Sequence, residues 1–168
     1  VYGDAEPTLT FVASGWVNGD DSSLLTGALA RVGSEHVGVY AINLGDLTAG
    51  GNYALQINAA NLSITKATLN VVANHVSKTY GSSDPALTYT VTGWALNDSS
   101  SLLTGAITRA SGENVGDRAI ALGSLSAGSD YSLSLVPSSL TIVPATLTVS
   151  AAAKSKTYGA SDPALTFA

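Results

Sequence analysis

Few side chains in this sequence have the type and spacing to do chemistry. The two histidines are His36 and His75, and neither stands near a nucleophile in a recognisable motif. A catalytic imidazole needs such a partner within hydrogen-bond reach, so both read as solvated loop residues. Asp20-Asp21 with Asn18, and Asp98 with Asn97, resemble the start of a hard-cation loop. Calcium requires six to eight oxygens, and neither stretch follows the EF-hand spacing. These aspartates are the weak candidates for a metal, calcium being the ion they suit, and the alternative is helix capping. No cofactor is otherwise expected.

Trp16 and Trp94 are the candidates for ligand contact. Exposed indoles could stack on sugar rings, whereas buried ones would anchor a core beside Gly15 and Gly93. Arg31 with Glu35, and Arg109 with Glu113, flank a turn and are expected to pair across it, each pair contributing little. Lys78 and Lys156 precede Thr-Tyr-Gly, but the sequence supplies no identifiable partner for an isopeptide bond. With no catalytic constellation, the chain is not expected to be an enzyme.

Composition narrows the classes. Of 168 residues, 45% are apolar, enough for a core, and only 11% are charged. Ser, Thr, Asn and Gly must therefore cover the surface, and Val, Leu, Ile and Tyr are spread evenly, which favours short strands and turns over disorder. The formal charge of −5 and the absence of a basic cluster argue against nucleic acid or an anionic membrane. No apolar run is long enough to insert in a bilayer as a helix. With zero cysteines there are no disulfides or thiolate metal sites. The chain opens in mid-phrase at Val1-Tyr2-Gly3, so it reads as a piece of a longer array, and a missing targeting segment is uninformative.

The decisive pattern is repetition. Tyr2-Gly3, Tyr80-Gly81 and Tyr158-Gly159 are each 78 residues apart, and so are Gly15-Trp16 and Gly93-Trp94. Leu24-Leu25-Thr26-Gly27-Ala28 returns as Leu102-Leu103-Thr104-Gly105-Ala106 in the same register. About half of the positions are identical, which marks a tandem array. A unit of this length exceeds the helical solenoid repeats and matches a small domain with its own core.

Within a unit the apolar residues alternate. Leu87, Tyr89 and Val91 face one way and Thr88, Thr90 and Thr92 the other. The same period of two runs through YSLSL, SLTIV and ATLTVS, while AITRA and RAIAL predict two more strands around a Gly112–Asn114 turn. Asn97–Leu103, like Asn18–Leu25, begins with capping residues and ends in a Leu pair, which predicts one helical turn dropping its leucines into the core. The expected class is all-β: tandem small domains, an immunoglobulin-like sandwich favoured and a β-grasp arrangement the rival.

Pro144-Ala145 and Lys66-Ala67 join two strands end to end, which suits a boundary. The expected units are 1–66, a repeat lacking its first strand; 67–144, a complete repeat; and 145–168, the first strand and turn of a third. An open unit and a spare strand are complementary. The tail of one molecule is thus expected to pair with the first unit of another, or to fold back, unless the strand at Ala67 closes the preceding domain instead.

KTYGSSDPALTYTVTG, LLTGAITRASGENVGDRAI and LSAGSDYSLSL, followed by LTIVPATLTV, resemble MBG domains of the YGX type. The resemblance covers essentially the whole chain, with Arg118 standing where the pattern has Tyr, and Trp at 16 and 94 where an aliphatic residue is expected. It implies a large bacterial surface or secreted adhesin, extracellular, with the repeats as a stalk and a role in adhesion or biofilm. The partners it implies are neighbouring repeats. The alternative function is a glycan- or calcium-binding adhesive module.

Overall fold

A computed structural model describes residues 1–167; Ala168, the last residue of the expected third segment, lies outside them. The described chain is all-β, with ten strands and two short 3₁₀ turns. Repeat 1 holds β1 (Ala30–Arg31), β2 (Gly38–Asn43) and β3 (Ala60–Ile64). Repeat 2 holds β4 (Ala67–Ala73), β5 (Val76–Thr79), β6 (Tyr89–Thr92), β7 (Thr108–Arg109), β8 (Gly116–Ala121), β9 (Tyr131–Val136) and β10 (Ser139–Val143).

Repeat 2 is organised around one bent parallel ribbon. β4 pairs in parallel with β9 from Ala67↔Tyr131 to Val72↔Val136, and β5 pairs in parallel with β10 from Val76↔Leu140 to Thr79↔Val143. The register offset is the same in both halves, so the ribbon continues across a bend at Asn74-His75 and Pro137-Ser138. Proline in a central strand would remove a ladder donor, and Pro137 falls at the bend where the ladder is already interrupted. Below the bend β6 adds to β4, giving the order β6-β4-β9; above it β8 and β7 add to β10, giving β5-β10-β8-β7. Both sheets are thus mixed, where an immunoglobulin-like sandwich would be antiparallel, and no helix crosses them as a β-grasp would require.

β4 shows why the sequence folds this way. In ATLNVVA every odd residue is buried and every even one exposed, as period-two alternation demands of a strand with one core face. Leu69 and Val71 are wholly buried, with Leu140 and Ile142 of β10. Burying each contributes about 1.5–3 kcal/mol. Val71 and Ala73 meet Ile107, Ile120 and Leu125 from the facing layer, and that contact is the core between the sheets.

The expected helical turn is present in both repeats as Ser22–Leu24 and Ser100–Leu102. Asp21 caps the first, accepting from Ser23 N–H at 2.8 Å, and Ser99 caps the second. Only one leucine of each pair turns inward: Leu103 packs on the core, whereas Leu102 and Leu24 are exposed. A single 3₁₀ turn cannot aim two adjacent side chains at one face.

Repeat 1 has the sheet β1-β2-β3, the counterpart of β7-β8-β10, but among the described residues nothing occupies the place of β4–β5. The segments matching β6 and β9, residues 11–14 and 53–58, form no strand. Their ladder partner in repeat 2 is β4, and without it the backbone groups have no row to pair with. Leu47 and Ile42 are only half-buried, where Leu125 and Ile120 are buried in repeat 2. In the tail, Ala151 bridges Phe167 in the way that Ala73 pairs with Tyr89, but no strand forms.

Candidate functional site: the joint and the ionic ring

β3 ends at Ile64 and β4 begins at Ala67, so only Thr65 and Lys66 separate the repeats. Tyr2 of repeat 1 reaches across this junction. Its N–H donates to the Thr65 carbonyl at 2.8 Å, and its ring is buried, edge-on to Tyr131 at 5.4 Å. The Tyr2 hydroxyl donates to Asp98 Oδ2 at 2.9 Å, and the Tyr131 hydroxyl donates to the same oxygen at 2.7 Å. The bond to Asp98, then burial, pushes the Tyr2 phenol up to about 12, since both oppose a second negative charge beside the carboxylate. Trp94 packs edge-on against Tyr131 at 5.4 Å.

A second contact lies beside it. Val37 N–H donates to Asp130 Oδ1 at 2.9 Å, and His36 Nδ1 lies 2.8 Å from Asp130 Oδ2. Burial raises the Asp130 carboxyl, but the Val37 N–H and His36 outweigh it and hold the group below its usual range. The His36 ring stacks on Tyr2 at 6.1 Å. His36 is a largely exposed loop residue, as the sequence suggests, and through Asp130 it is also part of the joint. Its type gave no signal, because the equivalent residue is Asn114.

The second cluster lies within repeat 2. Lys78 of β5 is buried, and its Nζ donates to Asp84 Oδ1 at 2.6 Å and Glu113 Oε2 at 2.5 Å. Arg109 of β7 donates through Nε to Asp84 Oδ2 at 2.6 Å and through Nη2 to Glu113. Charges alternate around a ring that ties a strand of the ribbon to two loops and β7. Arg109, then Lys78, hold the Asp84 carboxyl down to about 2. Amide formation between Lys78 and Asp84 would need a neutral amine and a protonated acid, and the ring favours the opposite state of both. The partners of Lys78 were unreadable because one lies 35 residues away; the Lys-to-Asp spacing, repeated at Lys156 and Asp162, was the available signal.

Repeat 1 carries the same arrangement without a lysine. Arg31 donates to Glu6 Oε1 at 2.7 Å and to Glu35 Oε1 at 2.5 Å. Arg118 likewise substitutes for Tyr40 in function: Arg118 Nη2 donates to the Asn114 carbonyl at 2.7 Å, and Tyr40 Oη donates to the equivalent His36 carbonyl at 2.7 Å.

The metal candidates are each engaged by hydrogen bonds, Asp20 and Asp21 within their own repeat and Asp98 from both repeats. Asp20 accepts from the Tyr53 hydroxyl at 2.8 Å, Asp98 from Tyr131 and Tyr2, and Asp21 from its own turn. Among the described residues no three His, Asp or Glu side chains converge as metal ligands do. Trp16 and Trp94 are half-buried, each against the tyrosine of its own repeat.

Two like β-units, coupled by a tyrosine of one set into the core of the next, define a tandem structural repeat. The profile of the MBG domain (YGX type) matches residues 1–63 and again 69–141, and the chain belongs to that family. MBG domains are repeat domains of surface proteins. No curated protein and no solved structure matches the chain.

Proposed function

We propose that this chain is a stalk or spacer segment of a large bacterial extracellular adhesin, non-enzymatic, whose repeats hold a distal binding region away from the cell in adhesion or biofilm. The observation that carries this reading is the joint. A two-residue linker leaves little free chain to bend, and Tyr2, Val37 and Ile64 pack against the cluster around Leu69 and Tyr131 in the next repeat. A pair of repeats so coupled transmits direction as well as length. Ser- and Thr-rich outer faces with few charges suit a surface that stays soluble without adhering.

Small-angle scattering tests it. The β4–β5 run of repeat 2, residues 67–79, spans up to about 40 Å at the usual strand rise, so two repeats should give a rod-like profile approaching twice that length. A compact, globular profile would overturn the reading. A glycan array and a calcium titration followed by melting serve the rival: binding through Trp16, or a melting shift of several degrees in calcium, would make the chain an adhesive module instead.

A further inference from the structure

The points at which the chain enters and leaves repeat 2 set how that repeat meets tension. The chain enters from Thr65-Lys66 at the first residue of β4, Ala67, and leaves into Pro144 from the last residue of β10, Val143. Ala67 pairs with Tyr131 at one end of the parallel ribbon, and Val143 pairs with Thr79 at the other. A pull along the chain therefore draws β4–β5 toward the first end and β9–β10 toward the second. The two sides of the ribbon are loaded in sliding, not in peeling.

Sliding is the resistant direction. Hydrogen bonds in a parallel ladder are evenly spaced, so a force along the strands stretches all of them together. Peeling would break them one after another. Six register pairs join β4 to β9, and four join β5 to β10. Both ends are closed by further bonds: Ala67 N–H donates to the Asp130 carbonyl at 3.0 Å, and Tyr80 N–H donates to the Val143 carbonyl at 2.8 Å. These lie where the force would enter and leave. On their other edges β4 is held by β6 and β10 by β8.

Side chains reinforce the same seam. Thr68 and Ser132 bring their hydroxyl oxygens to 3.3 Å across β4–β9. At the bend, where the ladder is interrupted, His75 Nε2 lies 3.0 Å from Thr141 Oγ1 of β10, and that hydroxyl donates to Asp117 of β8. Lys78 anchors β5 to Asp84 and Glu113 through the ionic ring. Leu69 and Val71 of β4, with Leu140 and Ile142 of β10, are wholly buried. A slip of one position would turn the buried face of β4 to solvent, so no small displacement relieves the load. The seam holds until it fails as a unit.

We propose that the β4–β9 and β5–β10 ribbon is a mechanical clamp, and that repeat 2 bears tension along the chain as well as supplying length. The source of that tension rests on the stalk reading, because a stalk passes every pull on its far end through each repeat in series. The clamp itself follows from strand order and from where the chain enters and leaves.

The chain has no cysteine, so the direction of pull can be chosen with engineered pairs in the full chain. Handles on Lys66→Cys and Pro144→Cys load the ribbon in sliding. Handles on Ser82→Cys and Pro144→Cys load it in peeling, since Ser82 N–H donates to the Thr79 carbonyl at 3.0 Å and so lies at the same end as Val143. All three positions are exposed. Forced unfolding follows the barrier along the pulled direction, so at one loading rate the sliding pair should yield at a several-fold higher force. Both double variants should melt as the unmodified chain does, which assigns the difference to direction and not to stability. Equal forces in the two directions, or a force difference that tracks a difference in melting, would overturn the clamp. Equal forces with a rod-like scattering profile would leave the spacer reading standing, whereas a globular profile with unequal forces would remove that reading and keep the clamp.

Discussion

The Tyr2 hydroxyl and the Asp98 carboxylate, 96 positions apart and in different repeats, are joined by a 2.9 Å hydrogen bond in which the tyrosine donates. Asp98 already accepts from Tyr131 of its own repeat, so one carboxylate oxygen serves the core of repeat 2 and the hold on repeat 1 together. Tyr2→Phe keeps the ring and removes only the crossing bond. The expected loss is about 1.5 kcal/mol, the range for a hydrogen bond to a charged group, read by denaturant unfolding. Asp98→Ala should cost more, since it removes the carboxylate acceptor of two phenols, Tyr2 and Tyr131.

The joint should be alkali-labile. Tyr2 ionises at about 12 in the folded chain against 10 ordinarily, so its protonated form is favoured by folding. The stabilisation is complete below pH 10 and disappears as the pH rises from 10 to 12. Wild-type stability should fall through that window more steeply than that of Tyr2→Phe. Parallel curves for the two would refute the linkage.

The ionic ring should be acid-labile in the opposite sense. Asp84 is held down to about 2 from an ordinary 3.8, so its contribution is present above pH 3.8 and is lost as the pH drops toward 2. Asp84→Asn should melt lower at neutral pH and show a shallower decline between pH 4 and 2. Because Asp84 and Glu113 are partly exposed, high salt should narrow the difference between variant and wild type.

Gly15 and Gly93 have nearly the same positive φ, +98° and +100°. An alanine is strained at both, but only at Gly93 does its β-carbon strike the Thr68 carbonyl. Gly93→Ala should therefore destabilise by about 1–3 kcal/mol more than Gly15→Ala, the usual range for overpacking. Equal losses at the two sites would mean that β4 yields to the added methyl.

Leu96 sits at φ +53°, exposed, at the turn position that Asn18 occupies at φ +58° in repeat 1. A left-handed conformation costs a leucine roughly 1–2 kcal/mol that glycine does not incur. Leu96→Gly should raise the stability of repeat 2 by about 1 kcal/mol after glycine's greater unfolded-state freedom is set against the relief. A calorimetric scan would register this as a higher melting temperature.

The sequence by itself determined the repeat, the all-β class, the alternating faces of β4, β9 and β10, and the capped turn at Ser100–Leu102. These are local properties: side-chain alternation and capping act within a few residues, so they are written where they operate. Tertiary structure decided which strands meet. That β4 lies parallel to β9, 64 positions later, follows from closure of the whole core, and no short pattern encodes it. The same closure decided that Lys78 meets Glu113 and that His36 meets Asp130. Residues 53–58 and 131–136 make the point most directly. YALQIN and YSLSLV share the alternation and the leading tyrosine, yet only the second is a strand, because only there does β4 lie beside it to accept and donate the backbone hydrogen bonds.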